Sequence, residues 1–117
     1  MTSVTLAAFA RTLKGHTGRG KEGLKEINFA KNCLDDVGGV KLGEYLRFNS
    51  TLKKINLSDN DFSDETALAI NRSLVDHESI REVDLSKNRI SVNALEMVRD
   101  SCANVREIKL EARIPKL

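Results

Sequence analysis

Residues 15–22 read GHTGRGKE, and Gly15, Gly20 and Lys21 follow the pattern G-x-x-x-x-G-K. That spacing suits a phosphate cradle, in which glycines let backbone N–H groups approach an anion and the lysine neutralises it. A cradle works because it joins a buried strand to a helix N-terminus, whose free N–H groups and dipole face the phosphate. Here the order is reversed: a helical pattern precedes the stretch and a strand pattern follows it. The residue after Lys21 is Glu22, a carboxylate where the motif needs Ser or Thr for magnesium. The stretch is therefore expected to be a flexible basic connection without a nucleotide site, with Gly15 ending the helix before it. A loop that touches an acidic partner is the alternative.

The remaining reactive side chains form no catalytic set. His16 and His77 are the only histidines. One falls in the glycine-rich stretch and the other in a turn after a helix, so both are expected at the surface. Cys33 and Cys102 stand outside any C-x-x-C or His-rich context, which argues against a metal and for thiols in a reducing compartment. The carboxylate pairs Asp35–Asp36 and Asp64–Glu65 sit at helix starts, where negative charge suits the dipole. No catalytic residue, cofactor or metal ligand is expected, and the chain is read as not an enzyme.

The totals narrow the class further. The chain has 117 residues, 40% hydrophobic and 31% charged, with a formal net charge of +2. This is one globular domain with a modest core. The charge is too small to argue for nucleic acid. It is also local, because Arg11, Lys14, Arg19 and Lys21 fall in the first 21 positions, where there is no acid. No apolar run approaches the roughly 18 residues of a membrane span. An acid-free, Ser/Thr-rich, amphipathic N-terminus also suits an organelle transit peptide. The localisation is thus read as cytoplasmic, with a mitochondrial or other organellar one as the alternative.

The elements that carry these residues repeat every 28 positions. Leu24, Leu52 and Ile80 keep that spacing, as do Ile27, Ile55 and Val83; Phe29, Leu57 and Leu85; Asn32, Asn60 and Asn88; and Leu34, Phe62 and Ile90. The aligned lines are LKEINFAKNCL, LKKINLSDNDF and IREVDLSKNRI. A shorter copy, VREIKLEARIP, begins at Val105 and has Arg113 where Asn is expected. Alternating apolar residues in each line suit a strand with one buried face. Asp35, Ser63 and Ser91 then share a position and suit a helix N-cap. The helical faces are Val40, Leu42 and Leu46; Leu68, Ile70 and Leu74; and Leu95, Val98 and Cys102. Neither element hides its apolar face alone, but stacked units bury both. The turn after each strand leaves backbone groups without ladder partners, and an amide side chain offers them donors and an acceptor. Asn32, Asn60 and Asn88 are therefore read as a structural column.

The lines match the leucine-rich repeat signature L-x-x-L-x-L-x-x-N-x-L. The 28-residue unit with a full helix resembles the ribonuclease-inhibitor-like subfamily, which includes Ran GTPase-activating protein and the tropomodulin C-terminal domain. The resemblance covers about residues 24–117. It implies an α/β right-handed solenoid, with a curved parallel sheet on the concave side and helices on the convex side. Residues 1–23 form an N-terminal capping helix and basic loop, in which Leu6, Phe9, Ala10 and Leu13 share one face. Repeats occupy 24–51, 52–79 and 80–104, and 105–117 is a partial terminal repeat.

A partner is expected on the strand side. Positions flanking the central apolar residue give Glu26, Lys54, Glu82 and Glu107 on one side and Asn28, Asn56, Asp84 and Lys109 on the other. Lys25, Lys53, Arg81 and Arg106 form one unmixed basic column, read either as a rim for an acidic partner or as water-screened edge positions. None of these columns holds an aromatic anchor. Beyond Leu110 no helix pattern follows, and Pro115 blocks a regular ladder, so the tail folds over the end or another chain covers it. The function read from the sequence is binding of another protein by a scaffold, adaptor or assembly subunit. The alternatives are a regulator of a small GTPase and a structural subunit of a larger, organellar complex.

Overall fold

The computed structural model describes residues 2–13, 24–102, 105 and 107–109, with Leu13 and Glu107 described by their backbone. The stretch GHTGRGKE, Arg106, Arg113 and the tail from Leu110 lie outside the described residues. Four helices, α1 (Ser3–Leu13), α2 (Asp36–Leu46), α3 (Asp64–Leu74) and α4 (Val92–Ser101), alternate with four strands. The strands are β1 (Glu26–Asn28), β2 (Lys54–Asn56), β3 (Glu82–Asp84) and β4 (Glu107–Lys109). They lie side by side in chain order, every pair is parallel, and Ile27, Ile55, Val83 and Ile108 stand opposite one another. This is an α/β solenoid with an open sheet.

Each strand is three residues long, yet backbone pairing between units continues beyond it. The amides of Phe29 and Lys31 reach the carbonyls of Asn56 and Ser58 at 2.8 and 3.1 Å. Those of Leu57 and Asp59 reach Asp84 and Ser86 at 2.8 and 3.0 Å. The chain then turns through Lys31, Asp59 and Lys87, which share a repeat position and adopt φ of 59°, 56° and 57°. This left-handed conformation costs an L residue about 1–2 kcal/mol. The asparagine that follows each of them offsets that cost.

Asn60 Oδ1 accepts from the amides of Asn32 and Leu34 at 3.0 and 2.9 Å, in the unit before it. Its Nδ2 donates to the carbonyls of Phe29, Leu57 and Ser58 at 3.0–3.2 Å. Asn88 does the same one unit later, accepting from Asn60 and Phe62 and donating to Leu57, Leu85 and Ser86. Asn32 donates to Phe29 and Ala30 and is half-buried, whereas Asn60 and Asn88 are buried. The first turn is thereby stitched to the second, and the second to the third.

The core runs between the sheet and the helices. Ile27, Ile55 and Val83 meet Leu42, Leu46, Ile70, Leu74, Leu95 and Val98 there. Leu6 and Ala10 of α1 are fully buried and cap the first unit, with Phe9 set edge-on against Phe29 at 5.3 Å. Two apolar positions expected inside are not. Leu24 is 41% exposed at the start of the first unit, and Leu68 is 39% exposed because α3 turns Ala67 and Ile70 inward instead.

Glycines let α2 lie close to both neighbours. A Cβ at Gly38 would come within 2.6 Å of the Ser3 carbonyl oxygen in α1, and one at Gly43 within 2.7 Å of Ala69 Cβ in α3.

The helix starts are tied together as well. Ser3 Oγ bonds the backbone of Asp35 and accepts from the Gly38 amide. Asp35 and Ser91 cap their own helices, accepting from Val37 at 3.1 Å and Ala94 at 3.2 Å. Ser63, the third expected cap, does not: its N–H and Oγ donate to Asp36 of the preceding helix. Asp64 takes the amide and hydroxyl of Ser91 in the same way, at 2.7 and 2.8 Å. A carboxylate at the first position of one helix thus holds the cap residue of the next. Burial pushes the Asp36 carboxyl up, but hydrogen bonds from Ser63 and Thr66 outweigh it and hold the group below its usual range.

Candidate functional site

The parallel register sets Glu26, Lys54, Glu82 and Glu107 in one row across the sheet and Asn28, Asn56, Asp84 and Lys109 in a second. In the first row Lys54 Nζ lies 3.7 Å from Glu82 Oε2, with both side chains roughly half exposed (50% and 40%). A pair this open contributes about 0–1 kcal/mol to folding. Its charges are available to another molecule at little cost to the fold.

The second row is engaged with its own chain. Asn28 Oδ1 accepts from the Ala30 amide, Asn56 Oδ1 from Ser58 and Asp84 Oδ1 from Ser86, each at 3.0 Å. Asp84 also accepts from Ser86 Oγ at 2.6 Å. Each of these residues therefore shapes the start of its turn by bonding its backbone two residues on. Asn56 is half-buried, whereas Asn28, which makes the same bond on the first strand, is exposed. Lys109 stands in the fourth rung, where a side chain that only donates cannot make such a bond. Between β2 and β3, Lys54, Asn56, Glu82, Asp84 and Lys109 enclose a hollow of about 80 Å³. Small-molecule sites are usually about 300–1,000 Å³, so this is surface relief.

In the basic column, Lys25 and Lys53 are exposed. Arg81 folds back instead, and its guanidinium donates to the carbonyls of Ile80 at 3.0 Å, Glu78 at 2.9 Å and His77 at 3.4 Å. The third member of the column thus closes a turn.

His77 is the clearest departure from expectation. It is buried, with 7% of its surface exposed. Its Nδ1 faces the amides of Ser79 and Ile80 at 3.2 Å, so it accepts and carries no proton. Nε2 therefore holds the proton and donates to the Leu46 carbonyl at 2.9 Å. Asn49, 28 residues earlier, has the same task, its Oδ1 accepting from Thr51 and Leu52 at 2.9 Å. Burial holds the His77 pKa below its ordinary value. The repeat spacing from Asn49 to His77 was the available signal, and so was that of Asp36 and Asp64, each followed 27 residues later by Ser63 and Ser91.

Cys33 is exposed and Cys102 buried, and burial pushes the Cys102 thiol up. Among the described residues no group of three or more His, Cys, Asp or Glu side chains is placed to hold a metal ion. No helix among them is long and apolar enough to cross a membrane.

A family model described as Leucine Rich repeat matches residues 24–43 and 48–70. Among solved structures, the chain of leiomodin-1 actin-binding site 2 (ABS2) aligns with a TM-score of 0.81 at 18% sequence identity. The alignment covers 97% of this chain and 66% of that one, and likeness at such identity is likeness of fold. No curated protein matches the chain. The repeat signature, the model match over these residues and the solenoid are those of leucine-rich repeats, and they support a protein-interaction module.

Proposed function

We propose that the chain binds another protein through its strand side, as a scaffold, adaptor or assembly subunit without catalytic activity. The observation that carries this reading is the row Glu26, Lys54 and Glu82. Its members sit on adjacent strands in fixed register, over a sheet whose inward residues are core and whose turns the asparagines lock. Charges held on a rigid surface bind with less ordering entropy than charges on mobile loops. The neighbouring Lys25 and Lys53 extend the row. The second row contributes less, since Asn28, Asn56 and Asp84 already serve their own turns. The free thiols of Cys33 and Cys102 support a reducing, cytoplasmic setting. The full helix in each unit supports a place among the ribonuclease-inhibitor-like repeats.

The test is a charge exchange. Lys54→Glu with Glu82→Lys keeps the net charge and lets the ion pair re-form, so folding should change little. A partner captured by cross-linking in the native source would see the row inverted, and like charges across an interface cost several kcal/mol. Binding should fall at least about tenfold, or 1.4 kcal/mol. The control is Glu96→Lys with Arg99→Glu on the exposed face of α4. Purified actin belongs among the proteins assayed, because the similar solved structure is titled an actin-binding site. A small GTPase and a multi-subunit complex are the other candidates. Unchanged affinity in the exchanged variant would remove the strand side from consideration.

A further inference from the structure

The helix side carries apolar side chains that the fold does not use. They include Val37 of α2 at 62% exposure, Leu68 of α3 at 39%, and Phe48, two residues beyond α2, at 42%. The repeat supplies its own control. The positions of Val37 and Val40 are held by Glu65 and Leu68 in α3 and by Asn93 and Glu96 in α4. In α4, then, both outward positions are polar and exposed, as a helix facing water requires. Val4 of α1 and Val92 of α4 are also exposed, but only between α2 and α3 do Val40, Tyr45, Phe48 and Leu68 come together along one groove among the described residues.

Those two helices enclose a groove of about 580 Å³, with Val40, Tyr45, Phe48 and Leu68 along it. A second hollow of about 550 Å³ adjoins it and shares Arg47, Phe48, Arg72 and Ser73. Tyrosine and arginine are the residue types that dominate binding energy at protein interfaces, and the strand side offers no aromatic.

The charges on the rim are sorted along the groove. Glu65 stands in the first turn of α3 and Arg72 in its last turn. Arg47 follows the last residue of α2, with its guanidinium 4.7 Å from the centre of the Phe48 ring. Glu44 is paired with Lys41 at 3.4 Å. Two arginines therefore flank the apolar floor where the helices end, with Asp76 and Glu78 beyond them in the adjoining hollow.

We propose that this groove is a second docking surface, separate from the strand row, and that it takes an amphipathic helix of a partner protein. The ligand helix carries an apolar stripe for Phe48 and Leu68 and carboxylates on the flank that meets Arg47 and Arg72. A helix fits because the walls are two helices, with no unpaired strand edge to recruit an extended peptide. Apolar anchors spaced by a helical turn then lie along the floor.

A displayed library of amphipathic helical peptides, randomised between Glu and Lys at positions flanking the apolar stripe, is the probe. Selection against the full chain should enrich peptides acidic at those flanks. Their affinity should fall more than about tenfold, or 1.4 kcal/mol, in Arg47→Glu with Arg72→Glu. It should also fall in Leu68→Gln and in Phe48→Ser. It should persist in Glu96→Lys with Arg99→Glu and in the strand-side exchange Lys54→Glu with Glu82→Lys. Melting temperatures near the parent value show that the surface variants fold. Enrichment of lysine-flanked peptides, or no enrichment at all, overturns the proposal. So does self-association of the parent chain in sedimentation that Phe48→Ser abolishes, since the groove would then belong to a second copy.

Discussion

Asn60 satisfies backbone groups in two units at once, and no apolar side chain can replace that. Asn60→Leu leaves the amides of Asn32 and Leu34 and the Ser58 carbonyl without this partner, while the carbonyls of Phe29 and Leu57 keep the Nδ2 groups of Asn32 and Asn88. At about 1–3 kcal/mol for each buried group left unmade, the loss rivals the whole stability of a domain, about 5–15 kcal/mol. The variant should fail to fold or melt far below the parent. Asn28→Ala removes one exposed turn bond and should cost about 0.5–1.5 kcal/mol. Comparable melting temperatures for the two would contradict the column's role. His77 makes a pH-dependent counterpart. Its folded pKa lies below the ordinary 6.5, chiefly through burial. The stability held by the neutral ring is present above that value and is lost as pH falls through the lowered one. Protonation would also turn Nδ1 into a donor facing two donors. His77→Asn, copying Asn49, should remove the acid-side loss that sets in as pH falls below the ordinary 6.5, and it should fold like the parent at pH 8. Urea melts at both pH values check this, and an unchanged slope in the variant would place the titration elsewhere. The asparagine column was legible because a repeated polar residue beside a buried strand has few tasks open to it. His77 was harder to read, because a different residue type stands where the preceding unit has Asn49, and only the 28-residue spacing links the two turns.

At the level of elements, α2 lies between two helices and owes its position to glycines. Gly43→Ala would set a new Cβ 2.7 Å from Ala69 Cβ and 2.8 Å from its carbonyl carbon, which is backbone and cannot rotate away. Alanine favours an isolated helix by about 1 kcal/mol over glycine, so the sign depends on which effect is larger. Overpacking typically costs about 1–3 kcal/mol, and two helix backbones must separate to relieve it. The net effect should be destabilising, seen as a lower urea midpoint, whereas a rise would mean that α2 and α3 move apart freely. The strand–helix units were legible as a spacing, since five columns repeat at 28 residues and each has a physical task. The contacts between units were less so. The task of Gly38 and Gly43 shows only once the neighbours that need them are in place. Leu68 read as core from its place beside Ile70 and Leu74, but a small rotation of α3 puts Ala67 inside instead. Ser63 was a sound N-cap by type, and its hydroxyl was claimed by Asp36, a competitor one unit away that single-helix reasoning does not include.

Over the whole molecule, the repeat converts short-range choices into two long faces. The strand side is polar and in register; on the helix side α2 and α3 border an apolar groove. Stability in such a chain is close to a sum of unit and interface terms. Its binding surfaces are therefore placed by the register itself, without a closed cavity. The candidate row Glu26, Lys54 and Glu82 could be read from the sequence because the columns beside a core strand residue must face outward. The partial withdrawal of Asn28, Asn56, Asp84 and Arg81 into their own turns could not, because it depends on backbone geometry. The proposed docking of a protein partner on the strand side can be mapped residue by residue. The most direct measurement is backbone amide mapping by NMR, with the captured partner titrated into isotope-labelled chain. Saturable shifts are expected at Glu26–Asn28, Lys54–Asn56 and Glu82–Asp84, reduced in Lys54→Glu with Glu82→Lys. Saturable shifts restricted to α2 and α3, with the strand amides unmoved, would contradict strand-side docking and leave the helix-side groove as the binding surface.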